Sequence, residues 1–95
     1  MTNSLDTSQV FKQADNCLTE ELDGESLVYN PEQATTIHLD GPASLIWQLC
    51  TGENSVEDMI SLVGQHFPEQ AEQVRVDIVD TVADLAKKNF LQLVS

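Results

Sequence analysis

Leu22 to Cys50 reads L-D-G-E-S-L-V-Y-N-P-E-Q-A-T-T-I-H-L-D-G-P-A-S-L-I-W-Q-L-C. Two short strand-like runs flank Asp23-Gly24. That dipeptide is a strong hairpin signal, because a type I′ turn needs positive φ at both central positions. From Glu25 to Asn30 the side chains alternate, with Leu27 and Tyr29 on one face and Ser26, Val28 and Asn30 on the other. Pro31 presets φ for the next turn. Ala34–Leu39 is a third run, with Thr35, Ile37 and Leu39 on one face and Ala34, Thr36 and His38 on the other. No later strand is evident to pair with it. It carries no Pro or Lys to block pairing, so it reads as an open sheet edge where an extended peptide can dock. An unoccupied edge of this kind can also pair with a second copy, giving a weak two-fold homodimer.

Outward from this stretch, the first strand is expected over Asn16–Leu22, and residues 1–15 read as a flexible tail. Three helices follow the strands. Asp40 can cap the first, with Pro42 in its first turn, where a missing N–H matters little. Leu45, Ile46, Leu49 and Cys50 form its apolar stripe beside Trp47, and Gly52 suits its stop. Ser55 to Asp58 resembles a capping box. Val56, Met59, Ile60, Val63 and Phe67 then share one helical face, and Pro68 ends that helix. The third and longest helix spans about Glu69 to Lys88. Val74, Ile78, Val82 and Leu85 form its stripe, with Val79 and Ala86 alongside. Asn89 takes the left-handed stop, and Phe90-Leu91 resumes apolar contact. The sequence predicts an α+β fold with a three-stranded N-terminal antiparallel sheet, three helices, and Ile46, Trp47, Leu49, Ile60, Val63, Ile78, Val82 and Leu85 in one core.

The chain has 95 residues, enough for one domain with a modest core. Apolar residues make up 41%, too many for a disordered chain. No apolar run is long enough to span a bilayer, and the N-terminus lacks the basic and apolar regions of a secretory signal. A cytoplasmic location is expected. Sixteen acidic residues against four basic ones give a net charge of −12, which argues against nucleic acid as a partner. Cys17 and Cys50 form no metal-binding spacing, and Cys50 reads as a small core residue.

The order L-D-G-E, L-V-Y-N-P-E, I-H-L-D, I-W-Q-L, T-G-E-N-S-V-E-D-M-I and D-I-V-D-T-V-A-D-L-A-K-K-N-F-L resembles the PqqD-like family, named for pyrroloquinoline quinone biosynthesis. The likeness covers roughly Cys17 to Leu93. Its strongest elements are Asn30-Pro31-Glu32, Ile46-Trp47 and the stretch from Thr51 to Ile60. Many relatives carry Gly where this chain has Ala43, and quinone-pathway members tend to have Gly-Trp near the position of Asn89-Phe90-Leu91. These departures concern the quinone pathway itself and leave the broader family intact. The resemblance implies a winged-helix-like, non-catalytic domain, and the lack of any convergent reactive set predicts no cofactor. Such a domain is the recognition element of ribosomal peptide maturation: it binds the leader of a precursor peptide and presents the core to a modifying enzyme, often a radical S-adenosylmethionine protein. The leader adds as a strand beside the third strand and packs against the third helix.

On this reading a leader runs along Thr35, Thr36, Ile37 and His38. With Ile78, Val82 and Leu85 facing the core, the flanking row Arg75, Val76, Val79, Ala83 and Lys87 borders the groove. Arg75 and Lys87 would then select acidic leader residues. Dipole complementation and an Asp84–Lys88 pair account equally well for the two lysines. His38 and His66 read as surface residues, since neither has a ligand or base partner at useful spacing. Adjacent carboxylates such as Glu20-Glu21 and Glu57-Asp58 read as solvated faces. No nucleophile–base pair, phosphate loop or metal set is present, which speaks against an enzyme. Two other functions fit the composition. An acidic carrier protein would attach its arm to a serine at a helix start, for which Ser44 is the nearest approach. An acidic winged-helix domain could serve other protein contacts.

Overall fold

The computed structural model describes residues 5–94. Asp23 and Gly24 both have positive φ, 53° and 81°, and join β2 (Leu18–Leu22) to β3 (Glu25–Asn30). The next turn leads into β4 (Thr35–Leu39), with Ala34 in the left-handed region at φ 53°. These strands form an antiparallel sheet in the order β2-β3-β4, in which Val28 pairs with Ile37 and Leu27 with His38. Its inner face carries Ser26, Val28, Asn30 and Leu39, all buried. Its outer face leaves Leu18, Leu27 and Tyr29 exposed.

A second antiparallel sheet was not expected from the sequence. β1 (Val10–Gln13) is its middle strand, between β5 (Thr51–Ser55) and β6 (Leu91–Leu93). The expected tail over residues 1–15 therefore fails at Val10–Gln13. Phe11 is a core residue there, and both edges of the strand are hydrogen-bonded. Residues 1–4 of that tail lie outside the described residues. The first strand of the hairpin sheet begins at Leu18, because Asn16 turns the chain at φ 71°.

Three helices, α1 (Gly41–Leu49), α2 (Val56–His66) and α3 (Ala71–Lys87), agree with the sequence reading. Asp40 Oδ1 accepts from the Ala43 N–H at 3.0 Å and caps α1. α1 stops at Cys50, whose N–H bonds to the Trp47 carbonyl. The expected stop at Gly52 is thus displaced. Gly52 lies inside β5 at φ +92°, next to Thr51, which pairs with Lys12 where the β1–β5 register shifts. At α2 the Ser55–Asp58 capping box is complete. The N–H groups of Val56 and Glu57 donate to the carbonyls of Gln9 and Thr7 at 3.0 and 2.8 Å. The segment before and into β1 thereby satisfies helix-start donors that have no partner within the helix. A single 3-10 turn, Pro68–Gln70, leads into α3. Asn89, at φ 67°, ends α3, and Phe90 and Leu91 return to the core.

One core unites the two sheets and the helices. Ile46, Trp47, Ile60, Ile78, Val82 and Leu85 are buried as expected, while Leu49 and Val63 pack at its margin. Trp47 is 1% exposed, and its Nε1–H donates to Thr19 Oγ1 at 3.1 Å. Glu21 Oε2 accepts from Gln48 Nε2 at 2.8 Å, so two inward residues of β2 are tied to α1. Leu45 and Phe67 depart from their stripes, at 39% and 51% exposed. Both instead border a pocket described below.

Replacing Trp47 with Ala should destabilise the fold by roughly 3–5 kcal/mol, the range for removing a fully buried large aromatic. A thermal melt close to that of the parent protein would remove Trp47 from the core. Burial pushes the Cys50 thiol from 9.0 up to about 12. The neutral thiol therefore favours the native state. That contribution is complete below the ordinary thiol value and is lost as pH rises toward about 12. Melting curves through this alkaline window should show a steeper decline for the parent than for Cys50→Ala. Parallel declines would contradict the assignment.

Candidate functional site: a groove between a free strand and the third helix

β4 bonds to β3 on one side, and among the described residues no strand covers its other side. Thr35, Thr36 and His38 are exposed along it, while Ile37 is half-buried and Leu39 buried. A strand with unpaired main-chain donors and acceptors is a template for another extended segment. His38 Nε2 lies 2.8 Å from Glu25 Oε1 on the exposed face of the sheet. This agrees with its reading as a strand-face residue.

Beyond the end of β4 a groove of about 390 Å³ separates His38, Leu39, Asp40 and Ala43 from α3. The α3 wall consists of Asp80, Thr81, Asp84 and Leu85. Of the expected strand residues Thr35–His38, His38 lines the groove together with the third helix, while Thr35, Thr36 and Ile37 lie outside its lining, as does the row Arg75, Val76, Val79, Ala83 and Lys87. Arg75 points to the other flank of α3, where its guanidinium contacts Glu57 of α2 at 3.0 Å. Val79 packs at the core margin, and Val76 is exposed. The physical reason is the hand of the fold. A buried stripe has two flanks, and the packing of α2 against one of them assigns the other to β4. The signal that could have found Asp80, Thr81 and Asp84 is the same periodicity, read on the opposite flank.

Next to the groove lies a pocket of about 400 Å³. Pro42, Leu45, Val63, Phe67 and Val74 line it, with Asp77 at its rim. Its lining has no residue in common with the groove's, but both draw on α1 and α3, the pocket through Pro42, Leu45, Val74 and Asp77 and the groove through Ala43, Asp80 and Asp84. This explains why Leu45 and Phe67 are exposed although they lie on apolar helical stripes.

The chain's few cations are largely engaged. Lys12 lies 3.9 Å from Asp15, and Lys88 lies 3.0 Å from Asp84, the i, i+4 pair expected from the sequence. Neither Lys nor Arg lines the groove. Among the described residues, no group of three His, Cys, Asp or Glu side chains is placed to hold a metal ion, and no helix is long and apolar enough to cross a membrane.

Comparison with known proteins gives two findings. The fold matches the solved structure of TbiB1 in complex with the TbiA(beta) leader peptide, with a TM-score of 0.76 and 23% identity over 85% of this chain and 94% of that one. At that identity the match speaks for the fold alone. No curated protein matches the chain. The family model for coenzyme PQQ synthesis protein D matches residues 25–91, from the start of β3 to the first residue of β6. The chain therefore belongs to the PqqD family.

Proposed function

We propose that this chain is a non-catalytic adaptor that binds the leader of a ribosomally made precursor peptide by strand addition to β4. It then presents the peptide to a modifying enzyme of the radical S-adenosylmethionine type. The observation that carries this reading is the uncovered edge Thr35–Leu39 beside a groove walled by α3. Main-chain hydrogen bonds to the edge supply affinity, and alternate side chains supply selectivity. One parity of the added strand faces the groove, and apolar leader side chains can settle in the pocket lined by Leu45, Val63 and Phe67. Family membership supports the same reading, as does the leader peptide bound to the structural neighbour TbiB1. A three-stranded hairpin sheet, β2-β3-β4, ahead of three helices suits a winged-helix-like description, and the compartment proposed is the cytoplasm. The unoccupied edge also suits a weak two-fold dimer.

The carrier-protein alternative loses its attachment point. Ser44 is 1% exposed, and its hydroxyl is hydrogen-bonded to that of Ser26. An arm cannot be loaded there without opening the contact between β3 and α1.

An amide chemical-shift titration tests the adaptor reading, using synthetic leaders taken from short peptide genes once the neighbouring reading frames have been searched for them. Thr35–Leu39 and the groove-side positions Asp80, Thr81 and Asp84 should move together. Shifts confined to β1, β5 and β6, with Thr35–Leu39 unmoved, would remove the edge from consideration.

A further inference from the structure

Resting on the adaptor reading, we propose that the segment bound at β4 is basic, and that Asp80 and Asp84 select Lys or Arg side chains on it. This reverses the expectation that Arg75 and Lys87 select an acidic leader. The two alternatives differ in which flank of α3 meets the peptide, and the groove is lined by Asp80 and Asp84.

Local charge supports the assignment. Asp40 at the cap of α1 adds a third carboxylate to the lining. Of the opposing charges nearby, His38 contacts Glu25, Lys88 contacts Asp84, and the exposed Lys87 lies outside the groove lining. Asp80 has no cation or hydrogen-bond partner among the described residues. The Asp84–Lys88 pair is more than half exposed on both sides, so its contribution is small and an incoming guanidinium can compete for it. Arg75 is held by Glu57 on the other side of the helix. An acidic leader would therefore place its carboxylates against carboxylates.

Geometry and long-range charge agree. Asp80 and Asp84 are one helical turn apart, about 6 Å along the axis. Alternate residues of an extended strand repeat about every 6.8 Å. The spacing of two basic side chains on one face of an extended strand is therefore close to that of the two aspartates. The net charge of −12 attracts such a peptide from a distance. Local and global terms have the same sign, so both weaken with salt.

The probe is a displayed library of random peptides selected against the full chain. Enriched peptides are then synthesised, together with counterparts in which Lys and Arg become Glu. Binders should be enriched in Lys and Arg at alternate positions and should shift the Thr35–Leu39 amides. The Glu counterparts should bind at least about tenfold more weakly, as expected for turning two attractive pairs repulsive. Binding should also fall steeply as salt rises toward about 1 M, where charges are screened beyond about 3 Å. Asp80→Asn and Asp84→Asn change no side-chain volume of note and should each weaken the basic peptides, while the double reversal Asp80→Lys with Asp84→Lys should shift enrichment toward acidic sequences. Peptides that move Thr35–Leu39 but show no basic excess, or ignore both aspartates, would overturn the charge assignment and leave the edge site standing. Failure of every enriched peptide to move Thr35–Leu39 would overturn the edge site, and the charge assignment with it.

Discussion

The pairing of β1 with both β5 and β6 is the constraint on which the arrangement depends. β5 leads directly into α2, and β6 follows α3 after the turn at Lys88, Asn89 and Phe90. A single strand therefore fixes where one helix starts and the other ends. The bonds from Val56 and Glu57 to Gln9 and Thr7 add to this hold at the start of α2. At the far end, the Ala14 N–H donates to the Phe90 carbonyl at 2.9 Å. With both ends held, α2 and α3 pack along their shared seam, and the orientation of α3 about its axis is set.

That orientation decides the character of the groove. Were α3 rotated the other way, Arg75 and Val79 would meet β4 and the wall would be cationic and apolar. Instead Arg75 reaches Glu57, and the aspartates meet the strand. Asn30 ties the hairpin sheet to the same frame. Its Nδ2 donates to the Asn89 carbonyl at 3.0 Å, and its Oδ1 accepts from the Glu32 N–H. One buried amide thus shapes the turn before β4 and attaches it to the stop of α3. This gives the Asn-Pro-Glu element of the family pattern a physical role.

Local signals were legible in the sequence where local physics decides them. The Asp23-Gly24 turn, the Asp40 cap, the Ser55 capping box and the Asn89 stop each require particular residue types at fixed offsets. The apolar stripes of α1, α2 and α3 were legible for the same reason. β1, β5 and β6 were not, because V-F-K-Q, T-G-E-N-S and L-Q-L are short and lack sustained alternation. They become strands only when residues far apart in the chain, such as Phe11 and Leu93, are brought together. The free edge of β4 was legible from the order of strands. The wall opposite was not, because a helical stripe reveals what is buried but not which neighbour covers each flank.

The closing of the chain upon itself has a consequence for how this domain can be joined to others. The Val94 N–H donates to the Val10 carbonyl at 2.7 Å, so the start of β1 and the segment after β6 lie side by side. A unit with adjacent entry and exit can be spliced into a surface loop of a larger protein without stretching the host. The same adjacency suits circular permutation, with β1 and β6 joined through a linker and new ends opened at the exposed Asp23-Gly24 turn. That turn lies between β2 and β3, and β4 pairs with β3 at the opposite edge of the sheet, so opening it leaves β4 on its partner and the groove beside α3 uncut.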